Sequence, residues 1–174
     1  APATKGFEHK PVVTCQAHLD MVCVKDKESA HSFETDPIIP VHDGERVSAR
    51  GTTLGADNGI GVAALVALME SDEPPHGPLE LLFTVDEEGD FSGASGLSPT
   101  WLKGTFFLNL DSEENHELNI GCAGGQADAI SIPLNREAAP PDSQIFHIRL
   151  GGLRGGHSGV DIHRGRGNAI VLLA

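Results

Sequence analysis

Short apolar runs alternate with charged turns along this chain, and their spacing predicts its elements. PVVTCQA at 11–17 reads as a buried strand. PIIPVHDGERVSA at 37–49 reads as two strands turning at Asp43-Gly44, a pair suited to the left-handed conformations of a hairpin. After a glycine-rich loop at 51–56, NGIGVAALVALMES sets alanine, leucine and valine at helical spacing, which predicts a helix over 58–71. Strands return with LELLFTV at 79–85 and TFFLNL at 105–110. Strand, helix and strand in alternation imply an α/β sheet, in which functional groups gather at the carboxyl ends of the strands. From about residue 117 the texture changes. ELNIGCAGG, ADAISIPL and QIFHIRLGG are short strand candidates, a proline-rich loop lies at 139–141, and helical periodicity returns only in the closing RGRGNAIVLLA. The expected organisation is a first α/β unit over 1–117 and the beginning of an α+β unit over 118–174.

The apolar runs share one feature: each leads into acidic or imidazole chemistry. His18 and Asp20 close the first, Asp57 lies in GADNG ahead of the helix, Glu87 and Glu88 follow ELLFTV, and Asp111 follows TFFLNL. One imidazole and several carboxylates drawn from separate parts of a chain are the ligands that divalent zinc, manganese or cobalt prefer. Carboxylates beside apolar strands are costly to bury without a cation.

Each position has a plainer alternative. His18 and Asp20 are two residues apart, so an extended segment points both the same way. His18 then serves as the ligand and Asp20 accepts from its other ring nitrogen; a solvent-exposed strand end is the alternative. GADNGIG opens a helix but lacks the Lys-Ser/Thr of a phosphate loop and the G-x-G-x-x-G order, and Asp57 would repel a phosphate. Asp57 or Asn58 as a helix cap is the alternative there, and capping does not exclude coordination. Adjacent Glu87 and Glu88 allow one to bind metal while the other takes a proton. Asp111 is the candidate in DSEE, with Glu113 and Glu114 as solvated neighbours, and the spacing rules out an EF-hand. In GGHSG, the glycines flanking His157 let the backbone approach a ligand closely, the alternative being an exposed loop. His31, His42, His76, His116, His147 and His163 lack such context and read as surface or internally satisfied histidines.

Composition narrows the function classes. With 174 residues the chain suffices for one domain, or one and part of another, and no apolar run approaches the roughly 20 residues a membrane helix needs. The 25 acidic and 12 basic side chains give a formal charge of -13, which repels nucleic acid and anionic membrane surfaces, so neither is expected as a partner. Three cysteines with no C-x-x-C pair suggest neither a disulfide framework nor a cysteine zinc site, and no secretory signal opens the chain. A reducing cytoplasm fits.

In order, HLDMV, ARGTTLGADNGIG, HGPLELLFTVDEEGD, DSEE, GCAGG and GLRGGHSG resemble the aminoacyl-histidine dipeptidase branch (Xaa-His dipeptidases) of the di-zinc metallopeptidases, which include carnosinases and aminoacylase. The resemblance runs from about residue 11 to 174. It implies a zinc-peptidase-like catalytic domain with a mixed sheet and flanking helices over 1–117, and the start of a lid and dimerisation domain over 118–174. It implies two divalent cations, zinc first and manganese or cobalt as alternatives. His18 and Asp111 would ligate one and Glu88 the other, with Asp57 bridging. Glu87 would be the general base, Asp20 a supporting catalytic aspartate, and His157 a group that polarises the substrate carbonyl, commonly in the partner subunit's site. Family members are longer, with a preceding segment, a complete lid and a C-terminal return carrying another metal-binding histidine, so the resemblance implies an internal fragment. The expected activity is hydrolysis of Xaa-His and other dipeptides by a homodimeric full-length protein. Another amidohydrolase of the superfamily, such as an aminoacylase or carboxypeptidase, and a catalytically silent metal-binding fragment are the alternatives.

Overall fold

A computed structural model describes the chain apart from residues 72, 113, 123, 125, 127 and 158–160. Two compact units result, Ala1–Glu117 and Leu118–Ala174. The first contains β1 (Val13–His18), β2 (Pro40–His42), β3 (Val47–Ala49), α1 (Ala56–Glu70), β4 (Leu79–Thr84), α2 (Ser92–Ser95) and β5 (Phe106–Asn109). The second contains a 3-10 turn at Ile162–Arg164 and α3 (Ala169–Leu173). No described helix is long and apolar enough to cross a membrane.

The α/β class expected from the pattern holds. A three-stranded sheet runs in the order β4-β1-β5, and β1 pairs in parallel with both neighbours, Cys15 lying opposite Leu81 and Leu108. Within the described residues this sheet is parallel throughout, and antiparallel pairing is confined to the separate hairpin β2-β3. The centre belongs to β1 because Thr14 through His18 are all buried, as a strand covered on both faces requires. Its alternation divides two environments. Cys15 and Ala17 pack with Leu65 of α1, flanked by Val13, Val62, Leu68, Leu81, Phe83 and Leu110. Asn58, Gly61 and Leu65 are the buried positions of α1, with Val62 and Leu68 half-buried beside them, a single stripe at helical spacing.

The other face of β1 is polar and cross-linked. The Thr14 hydroxyl donates to Glu80 Oε2 at 2.7 Å, and the backbone amides of Lys103 and Gly104 donate to the same carboxylate. Gln16 donates through Nε2 to Thr84 Oγ1 at 2.9 Å and accepts from Asn109 Nδ2 at 2.6 Å. This relay ties the carboxyl ends of β4, β1 and β5 together. Buried amides and hydroxyls are tolerated because they satisfy one another, and the pairing fixes which residues sit side by side at the strand ends.

Of three local expectations, two hold and one changes. The hairpin turns through residues 43–46, where the Asp43 carboxylate accepts the amides of Glu45 and Arg46 at 3.2 and 2.8 Å. The helix opens at Ala56, two residues early, yet Asp57 and Asn58 have non-helical backbone angles, so regular helix begins where the pattern predicted it. The strands expected in ELNIGCAGG, ADAISIPL and QIFHIRLGG do not form among the described residues. Ile120, Ile145 and Phe146 there are 105%, 99% and 77% exposed. Period-two alternation describes a surface able to join a sheet, but a strand exists only when a neighbour completes its backbone hydrogen bonds. The three cysteines are free thiols.

The packing of α1 yields a stability prediction. Leu65 is fully buried against Cys15 and Ala17, whereas Val66, one position on, is 40% exposed. Leu65→Ala is expected to cost about 2–5 kcal/mol, and Val66→Ala less than half as much. Urea unfolding followed by circular dichroism measures both, and equal losses would mean that α1 does not pack on β1 by this stripe.

Candidate metal centre

Four segments end at one edge of the sheet. His18 is the last residue of β1, Glu87 and Glu88 follow β4, Asp111 follows β5, and Asp57 stands in the first turn of α1. Because both neighbours run parallel to β1, all three strands deliver their carboxyl ends to the same side. The chain passes from β1 to β4 on one side and then crosses to β5 on the other, so both neighbours of β1 bring their following residues to that edge. Beyond β4, Asp86 adopts a left-handed conformation (φ 61°), which aspartate tolerates, and turns the two glutamates toward the site.

At the centre lies the His18 imidazole, its side chain wholly buried. Nδ1 is 2.9 Å from the backbone carbonyl of Asp20, an oxygen that can only accept, so this nitrogen carries a proton and Nε2 is the one turned toward the acids. Nε2 lies 3.0 Å from Asp57 Oδ1, 3.6 Å from Asp111 Oδ1 and 3.9 Å from Glu87 Oε2. Ligand atoms of His18, Glu87 and Asp111 fall within 4.8 Å of one another, as do those of His18, Asp57 and Glu88. Both groups use His18, and a single ring nitrogen serves one cation, so these residues complete one such group at a time. Asp57 remains 59% exposed, leaving the site open to solvent.

Electrostatics record the crowding. Burial first, and then the charge of Asp111, pushes the Glu87 carboxyl above its ordinary range. Burial and then Asp57 do the same to Glu88. Asp111 rises through burial, against the Asn58 amide, which holds its charged form. Burial pulls the His18 pKa down, but the hydrogen bond the ring donates to Asp57 and the charges of Asp111 and Glu87 outweigh it, and the net direction is upward. Every shift opposes gathering this much negative charge, which is the condition a divalent cation relieves. Oxygen donors with one imidazole fit such a cation, and the centre is metal-type chemistry on the protein's own residues.

Asp20 departs from the expected partnership. The carboxylate of Asp20 lies 3.5 Å from His18 Nδ1, farther than the carbonyl, and instead accepts the amide of Glu88 at 3.0 Å. The same-face argument holds only while the chain is extended, and β1 ends at His18. Burial raises the Asp20 pKa, but the amides of Glu88 and Glu87 lower it further, so its charge is held to fix the turn that carries both glutamates.

Asn58 escaped the sequence reading except as a cap, and α1 has no side-chain cap. Its amide nitrogen donates to the Leu110 carbonyl at 3.1 Å and, through a shorter contact, to Asp111 Oδ1. Both partners are acceptors, which fixes the orientation of the amide. Its oxygen is buried without a hydrogen-bond partner, against Gly61, where an added Cβ would sit 1.9 Å from that oxygen. The Asp-Asn-Gly-x-Gly wording therefore packs an amide that aims Asp111. Asn109 helps through its side-chain oxygen, which accepts the Asp111 amide at 3.0 Å.

The remaining candidates have surroundings of their own. His157 belongs to the second unit, where its amide donates to Asp161 Oδ2 at 3.1 Å. Glu114 is exposed as expected, and Glu113 lies outside the described residues. His42, His116, His147 and His163 are exposed, His76 bonds the Gly77 carbonyl at 2.7 Å, and His31 packs edge-on to Phe33. A hollow of about 580 Å³ lined by Met69, Leu81, Phe83 and Trp101 sits near the opposite end of β4; its one acid, Glu80, is already used by Thr14.

Known proteins resemble this chain. The model of peptidase family M20/M25/M40 matches residues 14–166. The cytosol non-specific dipeptidase of Escherichia coli (strain K12) is 51% identical over 172 residues, which is 99% of this chain and 36% of that protein. The crystal structure of aminoacylhistidine dipeptidase from Vibrio alginolyticus matches with a TM-score of 0.70 and 46% identity, covering 99% of this chain and 35% of that one. A succinyl-diaminopimelate desuccinylase of Sulfurovum sp. (strain NBC37-1) is 37% identical over 87 residues, 50% of this chain and 22% of that protein. The chain thus spans about a third of the length of the first two.

The Asn58 contact carries a prediction for metal affinity. Asn58→Ala frees Asp111 to rotate and is expected to weaken divalent-cation binding by about 10–100-fold. Competition against a chromogenic chelator reads the affinity, and an unchanged constant would remove Asn58 from the support of the centre.

Proposed function

The chain belongs to peptidase family M20/M25/M40, and we propose that the complete protein hydrolyses dipeptides, Xaa-His among them, at a two-cation centre. The observation that carries this reading is the convergence of His18, Asp57, Glu87, Glu88 and Asp111 at one sheet edge. His18 and Asp111 would hold one cation and Glu88 the other, with Asp57 a ligand available to both. Zinc is the first choice for a set of one imidazole and carboxylates, with manganese or cobalt as alternatives. When bound, the cations supply Lewis acidity and lower the pKa of a water molecule.

The protein's residues do the rest. Glu87 takes a proton from the attacking water as its oxygen bonds to the scissile carbonyl carbon, and delivers that proton to the amine as the carbon–nitrogen bond breaks. Its raised carboxyl pKa suits a group that must both accept and release a proton. Asp20 holds the Glu87-Glu88 turn, through the Glu88 amide, so that the base stays aimed. His157, by the family resemblance, would polarise the substrate carbonyl, commonly in the partner subunit's site.

The names of the Escherichia coli and Vibrio alginolyticus relatives support the dipeptide substrate, and the former supports a cytoplasmic location. Exposed Ile145 and Phe146 in the second unit are apolar surface that the complete protein would cover, with its remaining residues or with a second copy in the homodimer proposed for it.

Two substitutions in the complete protein separate the roles of the glutamates. Glu87→Gln keeps the shape but cannot take the proton, so turnover falls by at least about 100-fold while metal content by mass spectrometry stays near two per chain. Glu88→Gln loses metal. Equal metal loss in both variants would abolish the division of labour, and a complete protein that keeps its dipeptidase activity after its metal is stripped by a chelator would overturn the two-cation reading.

A further inference from the structure

The second unit contains a tightly bonded knot that the reaction described above does not use. Asp161 Oδ2 accepts the His157 amide at 3.1 Å and the Arg166 guanidinium Nη1 at 2.9 Å. The Asp161 amide donates back to the His157 carbonyl at 3.1 Å, so the His157 backbone is held at both its donor and its acceptor. Arg166 Nη1 also donates to the carbonyl of Gly155. Gly156 completes the arrangement: an added Cβ would lie 1.9 Å from that Nη1 and 2.8 Å from Asp161 Oδ2. Glycine is thus required there for the guanidinium to lie against the backbone beside His157. The side chains of Asp161 and Arg166 are only 18% and 19% exposed, whereas Arg164, which meets Asp161 Oδ1 at 2.9 Å, is 55% exposed. An ion pair shielded from water and backed by backbone bonds holds geometry, while an exposed pair is screened and adds little.

We propose that Asp161, pinned by Arg166, is a positioning residue that sets the backbone of His157 for the hydrolytic step. The inference rests on the role given to His157 under the proposed function. It explains why the run GGHSGVDIHRGRGN joins its histidine to an aspartate four residues on and an arginine nine residues on. The His157 amide and the two nearby arginines, outweighing burial, keep the Asp161 carboxyl below its ordinary range, so the clamp is charged at neutral pH. A group that must meet a developing oxyanion tolerates little displacement, since a misplacement of about 1 Å costs about 100-fold in rate.

The test is a double-mutant cycle on the full-length, metal-loaded protein, with kcat and KM measured on one dipeptide and folding checked by circular dichroism. Asp161→Ala is expected to lower kcat by about 100-fold with KM and metal content near those of the parent. In a His157→Ala background the same change should cost no more than about twofold, because its effect passes through that histidine. Arg166→Ala serves if Asp161→Ala does not fold; it should lower kcat in the same pattern, with Arg166→Lys recovering part of the rate and Arg164→Ala staying within about twofold of the parent. If His157→Ala is slow while Asp161→Ala and Arg166→Ala keep full kcat, or if the double mutant is slower by the product of the two effects, this inference falls and the proposed function stands. If His157→Ala itself keeps full kcat, the role of His157 falls and the inference falls with it.

Discussion

Four carboxylates cannot stay within a few ångströms of one another in a partly dry site unless something opposes their repulsion, and the architecture of the first unit answers to that constraint. Asp57, Glu87, Glu88 and Asp111 surround one buried imidazole, and Glu87, Glu88 and Asp111 are all pushed toward their protonated forms. His18 moves toward its charged form for the same reason, offering the only positive charge its neighbours can reach among the described ligand groups. A divalent cation replaces that proton with a stronger counter-charge.

What holds the acids in place is not the apolar core alone. Cys15, Ala17 and Leu65 supply adhesion between α1 and β1, but adhesion has no direction. Direction comes from hydrogen bonds arranged just behind the site. Gln16 couples Thr84 to Asn109, Asn109 holds the Asp111 amide, Asn58 aims the Asp111 carboxylate, and Asp20 holds the turn of the two glutamates. Gln16, Thr84 and Asn58 are buried and Asp20 and Asp111 half-buried, where unmade hydrogen bonds are expensive, so their geometry is held firmly. The second unit repeats the device on a smaller scale, with Asp161 and Arg166 fastening the backbone at His157.

Local patterns carried a large part of this. The apolar runs located β1, β4, β5 and the regular part of α1 to within about two residues, since burial periodicity is written residue by residue. The acids following those runs were legible because a parallel α/β sheet presents its carboxyl ends together. Less was legible where a residue's work depends on a distant partner. Asn58 looked like a cap because asparagine before a helix usually is one, and its true acceptors, Leu110 and Asp111, lie more than fifty positions away. The alternating segments after residue 118 looked like strands, yet alternation states which face is apolar and says nothing about whether a neighbouring strand is there to pair.

By itself, then, the sequence determined the class of the fold, the types of ligand and their placement after apolar runs, because these follow from side-chain chemistry and short-range periodicity. Only the tertiary structure decided that β1 lies between β4 and β5, that His18 turns Nε2 and not Nδ1 toward the acids, that Asp20 bonds the Glu88 amide, and that Asp161 and Arg166 close on His157. Each of these is a choice among several partners of equal chemical competence. That choice is made by distance and burial, quantities that exist only once the chain has folded.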